Sequence, residues 1–377
     1  MVLDVLFVSC EGRLGGAERS LLSLASALRH HESVAIACPQ GSLLEKTADA
    51  WGVEAIGLPL SPAQPTPAGA LGTIVGARSL RHVVQARQPR LVHANSIYSL
   101  PVALGATYGT GTPVIGHLRD ICRRRLGAWL YGKCTATIAI SRYVAESSPV
   151  FGLRNSRITV VHNGIDPVEP AVPEARGEPA GEPQPPRDRF VYANIGQFVP
   201  WKRQDHFISA AEAHGGLGDA EYWIVGDDIT GRCERYKQSV TMRAGQARPQ
   251  VRLLGWQENM SPVWNRVDCL VHTAATEPFG RVIVEAMARR IPIIAMNTGG
   301  PAEILEHEDT GLLVDPHDGT ALVEAMRRVQ SDAALRERLT ANAYRVWQTK
   351  YTVAQKAEGV LRVHQEVLSG TCSPMAV

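Results

Sequence analysis

The sequence predicts two α/β domains, each a parallel sheet covered by helices on both faces. Three observations carry this. Short apolar runs alternate with amphipathic segments through the first half, the same alternation restarts in the second, and the composition breaks sharply between them. At 377 residues the chain is also too long for one average core.

In the first domain, residues 1–166, the run over 2–9 is nearly continuous in apolar residues, as a strand buried on both faces requires. A glycine loop and a helical pattern over 17–30 follow, then strand runs over 33–38, 53–58, 90–93, 113–117 and 136–140. From 167 to 188 Pro, Glu, Gly and Ala replace any apolar periodicity, which reads as a linker or loop. The second domain, 189–350, carries strand runs over 190–196, 221–226, 251–254, 268–272, 291–296 and 311–314. The final stretch, 351–369, reads as a long amphipathic helix. Doubly wound sheets bind ligands beyond the carboxyl ends of their strands, so two facing domains would share a cleft there.

Composition excludes several classes. Hydrophobic content of 45% and charged content of 20% are ordinary for a soluble protein, and a net charge of +2 gives no footprint for nucleic acid. The seven cysteines are odd in number, scattered and free of CxxC spacing, which disfavours a disulfide framework or a zinc site and fits a cytoplasmic, reducing compartment. Asp4 interrupts the first apolar run, so a signal peptide is not expected, and no run reaches membrane-spanning length.

The loops carry the chemistry. Glu277-Pro278-Phe279-Gly280 is a turn opening a helix, with Glu285 about a turn and a half inside it. A helix entrance attracts phosphate, and carboxylates beside it accept sugar or ribose hydroxyls. Judged alone, Glu285 is equally well read as pairing with Arg281 or Arg289 along the helix. Gly12-Arg13-Leu14-Gly15-Gly16-Ala17-Glu18 lets backbone approach a ligand at another helix start, although GxGxxG is absent from the chain, which removes the main support for hydride transfer. Gly196-Gln197-Phe198-Val199-Pro200-Trp201-Lys202-Arg203 places two cations at a helix entrance, a diphosphate clamp or a solvated basic turn. Asn297-Thr298-Gly299-Gly300 repeats the strand–glycine–helix design. Gly127 to Lys133 matches GxxxxGK, but Cys134 replaces the hydroxyl and the run precedes a strand, so it is coincidence. Asp227-Asp228 reads as a turn or cap before a metal site.

In this order and spacing the motifs resemble the family 4 retaining glycosyltransferases of the GT-B fold, over most of the chain. The resemblance is carried by Gly15-Gly16-Ala17-Glu18, Ile115-Gly116-His117, Ile140-Ser141-Arg142-Tyr143-Val144, Val161-His162-Asn163-Gly164-Ile165-Asp166, Pro200-Trp201-Lys202, Ile224-Val225-Gly226-Asp227, the Glu277-to-Glu285 segment and Gly299–Ile304. It implies two Rossmann-like domains facing across a cleft, with the last helix crossing back to the first. It also implies that Glu277 binds donor-sugar hydroxyls beside Phe279, Gly280 and Arg281, while Glu285 holds the ribose. Lys202 neutralises the departing diphosphate, with Arg203, Gly15, Gly16 and Gly300 near the phosphates, Gly226 near the base, and His117 touching the sugar at the reacting centre. A strand-end core histidine is the bland reading of His117. Gln197 departs from the family pattern, which has arginine there; a neutral amide supplies no charge to the leaving group.

The resemblance implies that a sugar moves from a UDP- or GDP-linked donor to a small-molecule or glycan acceptor with retention, the diphosphate leaving from the front face. No metal or other cofactor is expected. The acceptor is expected on the first domain, with Asn95 and Arg119 as candidate contacts and the cluster from Arg119 to Arg125, beside Trp129 and Tyr131, as an anionic-acceptor or peripheral membrane surface or a solvated helix face. The rival readings are a nucleotide-sugar epimerase or hydrolase and a non-catalytic nucleotide-sugar-binding protein.

Overall fold

The computed structural model describes residues 3–64, 66–149, 157–166, 189–215 and 219–371; the proposed linker at 167–188 lies outside them. The chain divides into two compact units, Met1–Pro173 with Tyr351–Val377, and Glu174–Lys350.

The first unit holds strands β1 (Val5–Val8), β2 (Val34–Pro39), β3 (Glu54–Leu58), β4 (Leu91–Ala94), β5 (Val114–Leu118), β6 (Ala136–Ala139) and β7 (Ile158–Val160). They form one sheet in the order β3-β2-β1-β4-β5-β6-β7, all parallel. Six of these were expected from the apolar runs. β7 was not, because three residues, Ile-Thr-Val, are too few to show a period. The order reverses between β1 and β4, the kind of switch point at which doubly wound sheets take ligands beyond their strand ends.

Helix Val353–Ser369 belongs to this unit. Its buried residues, Val353, Lys356, Ala357, Val360, Val363, His364 and Val367, recur at three- and four-residue spacing, and it packs on helix Gly16–Leu28. Thr352 caps it, accepting a hydrogen bond from the Gln355 N–H at 3.2 Å. The segment after β7 fastens its start: the Ile165 N–H donates to the Tyr351 carbonyl at 2.9 Å, and the Asp166 carboxylate accepts from the Val353 N–H at 3.2 Å. Gly164 is there because nothing larger fits, since a Cβ would stand 2.1 Å from the Thr352 carbonyl oxygen. Gly164→Ala is expected to push the helix off its seat at a cost of about 2 kcal/mol. Calorimetry would read this as a Tm lowered by about 4–8 °C.

The second unit holds β8 (Phe190–Ile195), β9 (Ala220–Val225), β10 (Val251–Gly255), β11 (Cys269–His272), β12 (Ile293–Met296) and β13 (Leu312–Val314). Their order is β10-β9-β8-β11-β12-β13, again all parallel. Each expected strand is present, trimmed or shifted by a residue or two; β12 starts only at Ile293, since Pro292 has no N–H to give the ladder. The core centres on Tyr192, stacked on Tyr222 at 5.7 Å, with its hydroxyl donating to the Met326 carbonyl at 2.7 Å. The switch point here lies between β8 and β11, whose following loops hold Lys202 and Glu277.

Candidate functional site

In the second unit, three strand-end loops are pinned backbone to backbone. The Gly196 N–H donates to the Val225 carbonyl at 2.9 Å and the Gly226 N–H to the Gly255 carbonyl at 2.8 Å. Gly226 sits at φ +138°, where a Cβ would stand 2.0 Å from the Gly196 oxygen, so only glycine lets the two loops touch. A single tight turn, Pro200–Lys202, then leads into helix Gln204–His214. Thr273, just past β11, holds that turn: its hydroxyl donates to the carbonyls of Lys202 and Arg203 at 2.9 and 3.0 Å and accepts from the Asn194 amide at 3.0 Å. The Ala275 N–H completes the tie to the Trp201 carbonyl at 2.8 Å.

This clamp brings Lys202 to Glu277. The Lys202 ammonium forms an ion pair with the buried Glu277 carboxylate, and His272 Nε2 donates to the same oxygen at 3.1 Å. Burial alone would push the Glu277 carboxyl up; the Lys202 charge and the His272 hydrogen bond outweigh it and hold it at about 2. Burial in turn draws His272 below its ordinary value, against the pull of Glu277. Lys202 also lies over the Trp201 ring, 4.7 Å from its centroid. The result is an ionised carboxylate and a positioned cation at the switch point, one an acceptor for hydroxyls and the other a counter-charge for phosphate.

The turn after Glu277 is equally constrained. Gly280 adopts φ +100° as N-cap of helix Arg281–Ala288, and the Gly300 N–H donates to the Glu277 carbonyl at 2.8 Å. Phe279 is buried, and a Cβ on Gly300 would come within 2.2 Å of its carbonyl oxygen. Glu285 is partly exposed, with Arg281 Nη2 at 3.9 Å from its carboxylate, while Arg289 donates to its backbone carbonyl at 3.1 Å. The along-helix pairing is therefore present, but long. The buried face of this helix runs through Ile283, Val284, Ala286 and Met287, while Val282 is only partly covered.

One expectation for the neighbouring residues is corrected. Lys202 and Arg203 do not form a twin clamp. Arg203 adopts φ +52°, which turns its guanidinium away to the Pro316 carbonyl at 3.0 Å and to His206. Gln197 accepts at its carbonyl from Gln204 Nε2 at 3.0 Å. Asp227 and Asp228 form, as expected, a turn: Asp228 accepts from Thr230 N at 3.1 Å and Cys233 N at 2.5 Å, and Asp227 pairs with Lys237 at 2.6 Å.

In the first unit, Gly15 is the N-cap and Gly16 the first residue of helix Gly16–Leu28. Glu18 stands at the third helical position and reaches back to the Gly15 backbone, the reciprocal half of a capping box. Burial raises its carboxyl to about 7 against the pull of Arg119. Because the folded carboxyl keeps its proton to higher pH than the unfolded one, stability is full below about 4.5 and falls as pH rises through about 7. Glu18→Gln is expected to gain up to about 3 kcal/mol at pH 8 and little at pH 4. Urea titrations at the two pH values would measure this.

Arg119 and Asn95 are brought together, but inside. Arg119 Nε donates to the Asn95 carbonyl at 2.8 Å and Nη2 to its side-chain oxygen at 2.6 Å, and Nη1 reaches Ser20 Oγ at 3.1 Å. Both are buried, whereas Arg123, Arg124 and Arg125 are exposed, so Arg119 is not part of the basic cluster with which the sequence grouped it. The Ser20 hydroxyl also takes the buried Lys356 ammonium at 2.6 Å and donates to Asn163 at 2.8 Å. His117, at the end of β5, is buried, with Nδ1 3.1 Å from His93 Nε2; its Nε2 has no hydrogen-bond partner among the described residues. Burial, reinforced by Arg119, holds its proton affinity well below that of free imidazole.

The residues missed from sequence are His272, Thr273 and His364. His272 and Thr273 carried a local signal, as polar residues at a strand end just before Glu277; His364, on a helix far along the chain, carried none.

Three comparisons bear on this arrangement. "Glycosyltransferase Family 4" matches residues 14–169 and "Glycosyl transferases group 1" matches 179–346, together most of the chain. The lipopolysaccharide core biosynthesis glycosyltransferase LpsD of Rhizobium meliloti is 33% identical over 183 residues, which is 48% of this chain and half the length of LpsD. A GDP-mannose-dependent alpha-mannosyltransferase of Mycobacterium tuberculosis is 25% identical over 319 residues, 80% of each protein. In structure, Anabaena Alr3699/HepE, solved in complex with UDP-glucose, superposes with a TM-score of 0.81 at 21% identity, covering 97% of this chain and all of that one. The architecture is thus of the GT-B class, with two parallel α/β units. The chain belongs to glycosyltransferase family 4.

Proposed function

We propose that the protein transfers a sugar from a nucleotide diphosphate to an acceptor nucleophile, with retention at the anomeric carbon. The observation that carries the reading is the Lys202–Glu277–His272 cluster at the β8/β11 switch point of the second unit. Glu277, kept ionised, accepts hydrogen bonds from donor-sugar hydroxyls, and Glu285 accepts those of the ribose. Lys202 meets the diphosphate, and its charge grows in value as negative charge develops on the leaving oxygens. Catalysis then consists mainly of orientation and fixed positive potential, and a metal ion has no step to perform. His117 of the first unit takes a sugar hydroxyl, and the acceptor is bound by that unit. HepE was solved with UDP-glucose and the mycobacterial relative depends on GDP-mannose, so both bases are candidates.

A thermal-shift panel of UDP, GDP and their sugars tests donor binding first. One nucleotide should raise Tm, and Glu285→Ala should abolish that rise; an unchanged response in the variant would remove Glu285 from the site. Transfer from the matching radiolabelled sugar, undiminished by a chelator, tests the rest. Gln197 favours one second reading, a nucleotide-sugar-binding protein without turnover, which the same panel would show as binding with no product.

A further inference from the structure

Four titratable side chains in the first unit lie end to end. The Glu32 carboxylate, in the turn after helix Gly16–Leu28, stands 2.9 Å from Nδ1 of His364 on the last helix. His364 Nε2 is 3.1 Å from His93 Nδ1, and His93 Nε2 is 3.1 Å from His117 Nδ1. His364 and His93 are fully buried and His117 is 1% exposed, so no solvent interrupts the line. It ends on His117 Nε2, buried and without a partner among the described residues.

Hydrogen-bond valence gives this line a direction. A carboxylate only accepts, so His364 must carry its proton on Nδ1. A neutral imidazole has one N–H, so His364 Nε2 is then an acceptor and His93 must present Nδ1–H to it. His93 Nε2 is an acceptor in turn, and His117 must present Nδ1–H. Nε2 of His117 is left with a lone pair. One ionised side chain therefore sets the tautomer of three rings.

We propose that Glu32, His364 and His93 are positioning residues that hold His117 as the Nδ1–H tautomer, so that Nε2 accepts a hydrogen bond from a ligand hydroxyl and passes any proton it receives to His364. If that hydroxyl gives up its proton, the O–H bond breaks and an Nε2–H bond forms on His117. His117 then hands its Nδ1 proton to His93 Nε2, and His93 hands its Nδ1 proton to His364 Nε2. The charge ends as an imidazolium on His364 beside Glu32, and the ligand keeps the electron pair as an oxyanion. The same uptake reverses the tautomers of His117 and His93, so His117 Nε2 becomes a donor. The other charged groups facing the line are Arg119, past β5, and Lys356, on the last helix. Both are cations and oppose charge on His93 and His117; Glu32 favours it at the far end. That the ligand is the donor sugar rests on the function proposed above; the tautomer does not.

The test is two-bond ¹H–¹⁵N correlation of ¹⁵N-histidine-labelled protein, first without ligand. All three rings are expected as Nδ1–H tautomers, with His117 Nε2 showing the shift of an unprotonated nitrogen. Glu32→Gln is expected to convert His117 to a tautomer mixture and to lower kcat/KM about tenfold, while Glu32→Asp restores the parent pattern. A His117 that is Nε2–H in the unmodified protein overturns the proposal whatever the variants do, and so does an unchanged tautomer in Glu32→Gln. If the spectra follow expectation but no nucleotide sugar binds, the line of histidines stands and the donor assignment falls.

Discussion

Replacing Lys202 by alanine is expected to lower kcat about 10²–10³-fold, the loss seen when one preorganised group facing a developing oxyanion is removed. The same change should cost about 3–5 kcal/mol of stability, because Glu277 would stay buried without the ammonium that offsets its desolvation. The two effects separate by pH. Held at about 2, the Glu277 carboxyl contributes stability that is complete above about 4.5 and lost as pH falls toward 2. Without Lys202, burial draws the folded carboxyl upward, so the variant's deficit should be largest near neutral pH and shrink as pH falls and the carboxyl takes up a proton. Lys202→Ala combined with Glu277→Ala should recover stability relative to Lys202→Ala alone, since no buried charge is stranded, yet recover no rate. Denaturation at several pH values and single-turnover kinetics measure both. A Lys202→Ala enzyme with half the parent kcat would end the role assigned to this residue.

The second large effect is expected from a single methyl group. Gly300→Ala sets a Cβ 2.2 Å from the Phe279 carbonyl oxygen and 2.5 Å from the Phe279 Cα. Both obstacles are backbone, so neither rotates aside, and the turn joining Glu277 to helix Arg281–Ala288 must move. The stability cost is about 1–3 kcal/mol. The cost in rate is larger, about 10²-fold, because a shift of about 1 Å displaces both Glu277 and the helix entrance from their working positions. Steady-state kinetics on folded variant would show it, and kcat/KM within threefold of the parent would mean that the turn tolerates the shift.

Fold class was legible because buried parallel strands are written as unbroken apolar runs, and runs such as 2–9 and 190–196 stand out against their helices. Ile158–Val160 was not, since a strand that short borrows its definition from its neighbour β6. Within the site, Glu277 and Lys202 were legible from local punctuation: a proline and a glycine around one, a proline and a tryptophan before the other. Arg203 was misread because sequence gives adjacency but not φ, and its left-handed backbone points it elsewhere. Arg119 was misread for a related reason. Its charge suggested a surface, while the partners that let it be buried, Asn95 and Ser20, lie 24 and 99 positions away. The histidine line shows the limit most sharply, as its members are separated by up to 332 positions and no window along the chain contains two contacts of it.

Because residues after Tyr351 complete the core begun at β1, the order of synthesis and the order of folding differ. At ribosomal speeds the intervening stretch takes on the order of ten to thirty seconds to emerge. Throughout that interval the nascent amino-terminal sheet waits with the apolar face of helix Gly16–Leu28 lacking its final partner. It is then a natural client for chaperones, and a gene truncated before codon 353 should yield aggregate in place of a shorter enzyme.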